Sequence, residues 1–419
     1  MLKQKTVFLD LLKILLLYLP FLILLITLIP QTGHGFDNYC WQKWAEYSFS
    51  NGISNIYNSG TDYLPLYHYV LYIYAKLQGN IDAINNNIYD LKMVSIFFEF
   101  ASSLILFKIL KDHSGNFYKS ILFSLFYLLN ISVLYNSLIW GQIDGIMTFF
   151  VFSSIYFAYK KKIVLACSLY LLAINLKLQS IIFIPLIFIL IFPLICKKEN
   201  LKKLLLTLLW IIIFQIIIVS PFIFNEGLTK LWKVIFTSVD RYPVVSMNAY
   251  NMWYILLDGD LMKVLDSDKF IGISYKNWGL ILFFISGFFA LIPIFIQSVK
   301  IVLNKEQKEI SLKNIFIVGA LIPLLFFFFN TQMHERYSHP MLVFLAGYAI
   351  IFKRPIPYIL GSIAYFLNMD KVFGFFKFNY GTFMFRGDFI AVIFLLVIVF
   401  LFIDLYKVKF KKERNIIIK

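Results

Sequence analysis

The sequence predicts an all-α polytopic membrane protein with about twelve transmembrane helices and both termini in the cytoplasm. Three observations predict this fold. The chain has 419 residues, of which 60% are hydrophobic, and its mean hydropathy is +0.77, whereas soluble domains are about 45–50% apolar. The apolar residues gather in segments that approach the roughly 20 residues needed to cross a bilayer. Lysines concentrate in the short loops between alternate segments.

The twelve apolar segments are the predicted membrane spans. Several of them have only about 13–17 residues, which is short for the hydrocarbon layer, so these helices are expected to be partly buried in protein. The spans are placed at residues 11–30, 88–107, 120–138, 141–159, 163–178, 180–196, 204–223, 277–298, 314–330, 340–352, 355–369 and 388–406.

The basic residues predict the orientation, because short cytoplasmic loops are enriched in Lys and Arg. With the N-terminus inside, 25 of the 39 basic residues fall on the cytoplasmic side. The net charge of +16 is therefore assigned to topology, and no nucleic-acid partner is expected. Cys40, Cys167 and Cys196 fall at different depths, so no disulfide framework is expected.

A single domain is expected over residues 1–419, with its two long loops on the outer side, at about 31–87 and 224–276. These loops contain three stretches that predict helices lying in the headgroup layer, near Tyr39–Asn51, Tyr63–Leu77 and Leu228–Phe236. The inner loops are short and carry no motif. The asymmetry predicts that function resides at the outer face.

Asp37 follows the first predicted span and is the leading candidate for catalysis. An aspartate at the membrane surface can act as a general base toward an attacking hydroxyl. The alternatives are a solvated loop acid or the N-cap of the helix near Tyr39–Asn51. An exposed site also predicts that an isosteric Asp37→Asn change leaves stability almost unaltered.

Two further groups of polar residues are candidates for positioning a substrate. Asp62 precedes Pro65 and is either a helix cap or an acceptor-positioning group. Gln142 and Asp144 begin a predicted span, where polar groups usually face a cavity or a partner, although they also fit a helix start. Trp140 beside them fits an interfacial anchor.

Lys177 and Gln179 lie at the turn between two very apolar segments, near Asn175. A lysine here either snorkels to the membrane surface or reaches a substrate phosphate. We favour the phosphate because the three polar residues cluster in the sequence.

His334, Glu335 and Arg336 form another polar island. Arginine is scarce in this lysine-rich chain, which suggests an A/T-rich genome, and its planar fork suits phosphate better than lysine does. The alternative is a Glu335–Arg336 surface ion pair, which would contribute little. Arg241 is a second arginine placed outside.

Glu99 lies within a predicted span and is a functional candidate by default, with Lys92 or a polar residue of another span as its partner. The five histidines lack the spacing of a helical zinc site. The sequence also lacks a Walker A run and a Rossmann glycine fingerprint. This pattern fits a protein that uses neither ATP nor a nucleotide sugar at its outer face.

Taken in order, these features resemble bacterial membrane mannosyltransferases related to the second mannosyltransferase of GPI-anchor synthesis, which have the GT-C fold. The resemblance extends over residues 35–340. It rests on Asp37, Asp62-Tyr63-Leu64-Pro65-Leu66, Trp140-Gly141-Gln142-Ile143-Asp144, Lys177-Leu178-Gln179, Ser246–Trp253 and Met333-His334-Glu335-Arg336-Tyr337. The family often has two prolines where this chain has Leu64-Pro65.

The resemblance implies an inverting glycosyltransferase of the bacterial cell membrane, active at the extracytoplasmic face. It would move a hexose, with mannose favoured, from a polyprenyl-phosphate sugar to a lipid-linked or envelope glycan acceptor, among membrane lipids. Asp37 matches the family's catalytic base, and no cofactor is expected, with a divalent cation left open. His334, Arg336 and Lys177 are expected to bind the donor phosphate. The expected substrate-positioning residues are Asp62, Gln142, Asp144, Gln179, Arg241 and Asn248.

Two other functions remain alternatives. A lipid-linked sugar flippase or transporter would place its polar residues at the bilayer midplane. An envelope glycan polymerase or ligase also uses lipid-linked sugars but typically has one dominant outer loop.

Overall fold

The computed structural model describes residues 2–238, 240–304 and 309–407 of the chain. Its described part is mostly helical, and its strands form one short hairpin of β1 (Lys269–Phe270) and β2 (Ile273–Ser274). The predicted all-α class is therefore confirmed. The α-helices are α1 (Leu2–Thr27), α2 (Gly35–Asn51), α3 (Pro65–Gln78), α4 (Ile81–Asn86), α5 (Lys92–Ser114), α6 (Phe117–Leu128), α7 (Ile131–Leu134), α8 (Asp144–Tyr159), α9 (Ile163–Leu176), α10 (Ile184–Ile195), α11 (Leu201–Val219), α12 (Gly227–Thr237), α13 (Trp253–Leu256), α14 (Tyr275–Val302), α15 (Leu312–Phe329), α16 (Met341–Phe352), α17 (Ile356–Phe373) and α18 (Gly387–Tyr406).

Every one of the twelve predicted spans coincides with helix, but the helices differ in their capacity to cross a bilayer. In the described residues, seven are long and apolar enough: Leu9–Thr27, Ile88–Ser114, Leu178–Ile195, Lys198–Phe222, Tyr275–Val302, Leu312–Phe329 and Gly387–Tyr406. An eighth span would be the pair Phe117–Leu128 and Ile131–Trp140, which is bent by 49°. The chain is therefore a helical membrane protein with several spans.

The remaining predicted spans are shorter or more polar helices. Helices α8, α9 and α16 are apolar but have 16, 14 and 12 residues. At 1.5 Å per residue, a helix of 12 residues is roughly 18 Å long, less than the hydrocarbon core. Helix α17 is amphipathic and carries a buried acid, Asp370, in its last turn.

The short helices lie at the centre of the bundle. Helix α16 packs against α5, α15 and α17, and α8 packs against α5, α9 and α10. Most of the side chains of α8, α15 and α16 are buried. Protein neighbours on all sides allow such short helices to end inside the bundle, where loops can line a cavity without facing lipid.

The outer helices of the bundle expose apolar side chains. Contiguous apolar surface of this extent is rare on soluble proteins and is suited to lipid. It lies mainly on α1, α11 and α14 and includes Leu11, Leu15, Leu16, Leu205, Leu206, Leu208, Leu209, Phe284, Ile285 and Phe288.

The lysine-rich loops gather at one end of the bundle. Lys111 pairs with Asp10 at 2.6 Å, and Lys160 pairs with Asp112 at 3.2 Å. Near the end of α18, the Nζ of Lys313 donates to the backbone carbonyl of Asp404. These contacts join parts of the chain that the charge pattern assigns to the cytoplasmic side. Of the terminal segments expected in the cytoplasm, residues 408–419 lie outside the described residues.

The long loops at the opposite end form the predicted surface helices. Helix α2 begins at Gly35, and α3 begins at Pro65, whose missing N–H costs nothing at a first helical position. Gly79 ends α3 in the left-handed conformation that glycine adopts without strain. Helix α12 exposes Trp232 and Phe236 beside its buried Leu231, as expected of a helix lying at an interface.

Candidate functional site

A cavity of about 740 Å³ opens among the long loops, at the end of the bundle away from the lysine-rich loops. Its walls come from α2, the segment before α3, the turn between α9 and α10, helix α12 and the loop after α15. Eight of the ten predicted site residues line it: Asp37, Asp62, Lys177, Gln179, Arg241, Asn248, His334 and Arg336. The other two, Gln142 and Asp144, are fully buried behind the wall.

Asp37 lies in the first turn of α2 and is fixed by residues from the centre of the chain. Its Oδ2 accepts hydrogen bonds from Trp140 Nε1 at 3.0 Å and from Gln142 Nε2 at 2.5 Å. His34 Nδ1 lies 3.1 Å from the same oxygen, with its ring stacked on Trp140. All of these contacts are made to Oδ2, and Asp37 also lines the cavity.

Three expectations for this region are wrong. Asp37 is not a helix cap, because α2 begins two residues earlier and has no side-chain cap. It is not an exposed loop acid either, since its side chain is only 14% exposed. Trp140 is not an interfacial anchor, because its ring is fully buried under His34.

The environment of Asp37 favours its ionised form. Burial alone raises the pKa of a carboxyl group, but here the contact with His34, the charge of Arg336 and the hydrogen bond from Trp140 outweigh it. The pKa of Asp37 therefore lies well below its ordinary value. The carboxylate is ready to accept a proton at neutral pH, although it is a weaker base than an unperturbed aspartate.

Asp144 and Lys177 form a buried ion pair beside the cavity. Lys177 Nζ donates to Asp144 Oδ1 at 2.5 Å and lies 4.8 Å from the centre of the Tyr337 ring. The Lys177 side chain is only 17% exposed, so the interpretation of a snorkelling lysine is wrong. Asp144 starts α8 and holds the ammonium group of Lys177 at the cavity wall.

Arg336 is the second buried cation of the site. Its Nη1 donates to Glu335 Oε1 at 2.6 Å, and its Nε lies 3.7 Å from Asp144 Oδ2. The Nε itself makes no hydrogen bond to the described residues. The Glu335–Arg336 pair exists, but it is buried and not the surface pair considered as the alternative: the two side chains are 3% and 12% exposed.

His334 lies in the loop after α15, against the loop between α12 and α13. Its backbone bridges Met247 and Asn248, and its ring meets the edge of Tyr242. Burial, together with the charges of Arg336 and Lys177, lowers the pKa of His334 well below its usual value. The ring is therefore neutral at pH 7 and can donate one hydrogen bond to an anion.

Asp62 and Arg241 join the two long loops at the cavity rim. Arg241 Nη2 lies 3.1 Å from Asp62 Oδ2. Burial raises the pKa of Asp62, and the guanidinium of Arg241 opposes this shift. Asp62 does not cap α3, whose first flanking residue is Leu64 and which has no side-chain cap.

The remaining predicted residues divide between the cavity and its supports. Gln179 lines the cavity and donates to the Tyr337 carbonyl at 2.8 Å. Asn248 lines it too, and its carbonyl accepts from Asn368. Asn175 instead forms a hydrogen bond with Gln215 of α11 at 2.7 Å. Asn175, Lys177 and Gln179 therefore do not form one cluster.

Glu99 belongs to a polar network in the core and does not pair with Lys92. It accepts hydrogen bonds from Tyr127 and Ser137 and lies 2.9 Å from His339 Nε2. Lys92 donates to the backbone carbonyls of Pro30, Thr32 and Ile139 and so braces the segment that leads into α2.

Sequence reasoning missed two functional candidates. His34 was overlooked although it lies one helical turn before Asp37, a spacing that could have indicated contact. Glu335 was considered only as a surface partner of Arg336, yet it lies against the cavity. The described residues contain no group of three His, Cys, Asp or Glu side chains that could hold a metal ion.

The chain matches no protein-family model, and no curated protein is significantly similar to it.

Proposed function

We propose that this protein is an inverting glycosyltransferase that moves a hexose, with mannose favoured, from a polyprenyl-phosphate sugar to a lipid-linked or envelope glycan acceptor. The observation that carries the proposal is that a possible general base and two cations line one cavity. A carboxylate that stays ionised, Asp37, lines the same space as the two cations Lys177 and Arg336. A hydroxyl nucleophile needs a base, and a departing phosphate needs positive charge.

The shape and lining of the cavity support a donor attached to a lipid. One wall is apolar and continues to the bundle surface, where Ile181 and Leu280 are partly exposed to the surroundings. Ile182, in the turn between α9 and α10, and Val234 and Ile235 of α12 add further apolar side chains to the lining of the cavity. A polar headgroup pocket beside an apolar wall suits a molecule with a charged phosphate and a long hydrocarbon tail.

Aromatic side chains support a sugar as the transferred group. Trp44, Tyr63, Tyr242 and Tyr337 line the cavity. Their flat faces offer large amphipathic contact area, and their polar tips can hydrogen-bond. Such surfaces suit the alternating C–H and hydroxyl groups of a hexose ring.

The proposed reaction is a single displacement. An acceptor hydroxyl attacks the anomeric carbon, and the bond from that carbon to the phosphate oxygen breaks, with its electron pair passing to the phosphate. Oδ1 of Asp37 takes the hydroxyl proton, while Lys177, Arg336 and the N–H of His334 stabilise the phosphate. One displacement inverts the anomeric centre without a glycosyl-enzyme intermediate.

The proposal includes the setting of the reaction. The chain would cross the bacterial cell membrane about twelve times in a GT-C-like arrangement, with both termini inside. The cavity would then open at the extracytoplasmic face, because the lysine-rich loops lie at the other end. No cofactor forms part of the proposed step.

The test is transfer by the purified protein in lipid nanodiscs. Polyprenyl-phosphate mannose, glucose and galactose are each offered with membrane glycolipid acceptors, and the products are identified by mass spectrometry. We expect hexose transfer from at least one of these donors and none from the matching nucleotide sugars. Movement of intact lipid-linked sugar across the bilayer without transfer would favour the flippase, and repeated addition to one chain would favour the polymerase.

A further inference from the structure

The two cations around Arg336 already have acidic partners before any donor binds. Arg336 and Lys177 supply two positive charges, while Asp144, Glu335 and Asp37 supply three negative ones when all are ionised. His334 is neutral. The cluster therefore has no surplus positive charge for an incoming phosphate, although Arg336 and Lys177 are its cations.

Glu335 is the acid that a phosphate would displace. Its Oε1 accepts a hydrogen bond from Nη1 of Arg336 at 2.6 Å, and both residues line the cavity. Asp144 is instead fully buried behind the wall and held by Lys177 at 2.5 Å. A phosphate that binds the guanidinium of Arg336 would displace Glu335 from it. Glu335 would then be a buried carboxylate without a cation, which is strongly unfavourable.

We propose that Glu335 takes up one proton when the donor phosphate binds Arg336, and that its carboxylic acid then donates a hydrogen bond to the phosphate. This inference rests on the proposed function, because it concerns the phosphate of the same donor. The proton comes from solvent, Glu335 becomes neutral, and the phosphodiester keeps its single negative charge. No covalent bond is made or broken.

The surroundings of Glu335 agree with this exchange. Burial raises the pKa of Glu335 above its ordinary value, and the Arg336 guanidinium opposes this effect. When the phosphate binds Arg336, Glu335 loses its contact with the guanidinium and gains a negative charge nearby. Both changes would raise the pKa of Glu335 further. The charged or titratable groups that face Glu335 are Arg336, His334, Asp37, Tyr250, Tyr337 and Tyr365.

The sign of the pH dependence follows from the pKa of Glu335 being higher with donor than without it. Affinity for the donor is then highest and constant below the pKa of Glu335 in the free protein. Above that pKa it falls by up to about tenfold per pH unit until the pKa of the complex is reached. A phosphodiester does not itself titrate in this range, so the slope reports on the protein.

The experiment measures binding of a short-chain polyprenyl-phosphate mannose to the full-length protein in nanodiscs, without acceptor, from about pH 5 to 8. Calorimetry in buffers of different ionisation enthalpy counts the protons taken up. We expect close to one proton and weaker binding as the pH rises. In Glu335→Gln we expect binding that hardly changes with pH and matches the tight binding of the native protein at low pH.

Controls separate the outcomes. Asp388→Asn removes an exposed acid paired with Arg386, so it should keep the native pH slope. Donor binding with equal slopes in native protein and Glu335→Gln, or with no proton uptake, would overturn the inference but leave the proposed donor intact. No donor binding at any pH would overturn both. The native protein alone supplies the slope and proton count if Glu335→Gln fails to fold.

Discussion

Replacing Asp37 with Asn separates the chemistry of the cavity from its architecture. The amide has nearly the shape of the carboxylate, so it can still accept hydrogen bonds from Trp140 and Gln142 through one oxygen. It cannot accept a proton from an attacking hydroxyl. We therefore expect the rate of sugar transfer to fall by about 10²–10⁴-fold, the usual effect of losing a general base.

The same substitution should also lower stability, because Asp37 is buried and charged. Hydrogen bonds to charged groups contribute about 1.5–3 kcal/mol, compared with about 0.5–1.5 for neutral ones. Two such bonds become neutral, and the attraction to Arg336 is lost. We expect a loss of about 1–3 kcal/mol in the free energy of unfolding, which a folded membrane protein can tolerate.

The assay measures initial transfer rates and thermal unfolding of the native protein, Asp37→Asn and Asp62→Asn in the same nanodiscs. Asp62 is a matched control because it is an aspartate of the same cavity, paired with Arg241 at the rim. It should lose far less activity than Asp37→Asn. Folded Asp37→Asn protein with near-native turnover would refute the assignment of the base.

Three other predictions concern the phosphate site, the packing of the core and the orientation of the chain. Arg336→Lys keeps the charge but loses the planar fork, so steady-state kinetics should give a donor KM raised by about 10–100-fold and an unchanged acceptor KM; equal effects on both substrates would contradict the role. Gly145→Ala should lower the melting temperature at a cost of about 1–3 kcal/mol, because the new Cβ would meet the Glu99 carboxylate, whereas Gly287→Ala, which meets nothing within 4 Å, should not. In a chain lacking its native cysteines, a cysteine at exposed position 80 should react with an impermeant reagent on intact cells, and one at exposed position 162 should not; the reverse pattern would invert the topology.

The sequence predicted the helices well because their signals are local. Long apolar runs predicted the positions of the helices, and Pro65 lies in the first turn of α3, as expected. The 12-residue length of α16 indicated partial burial in protein, but it did not indicate that α5, α15 and α17 would cover it. That packing is a tertiary property that no single segment encodes.

The sequence predicted several of the polar residues that line the cavity, but not which of them contact one another. Polar residues in apolar surroundings identified Asp37, Lys177 and Arg336, because such groups are costly unless they have partners. The identity of the partners depends on contacts between distant segments, such as Trp140 and Gln142 on Asp37. Spacing along the chain could not reveal these contacts, nor that Glu335 is buried.

The proposed arrangement places Asp37 and the cations Arg336 and Lys177 at opposite ends of one sugar–phosphate bond. Its most direct test is an electron cryomicroscopy structure of the Asp37→Asn protein with bound polyprenyl-phosphate mannose. We predict the phosphate within hydrogen-bond distance of Arg336, the lipid along the wall formed by Ile181 and Leu280, and the anomeric carbon facing residue 37. A donor bound elsewhere, or with its phosphate far from Arg336 and Lys177, would contradict the account.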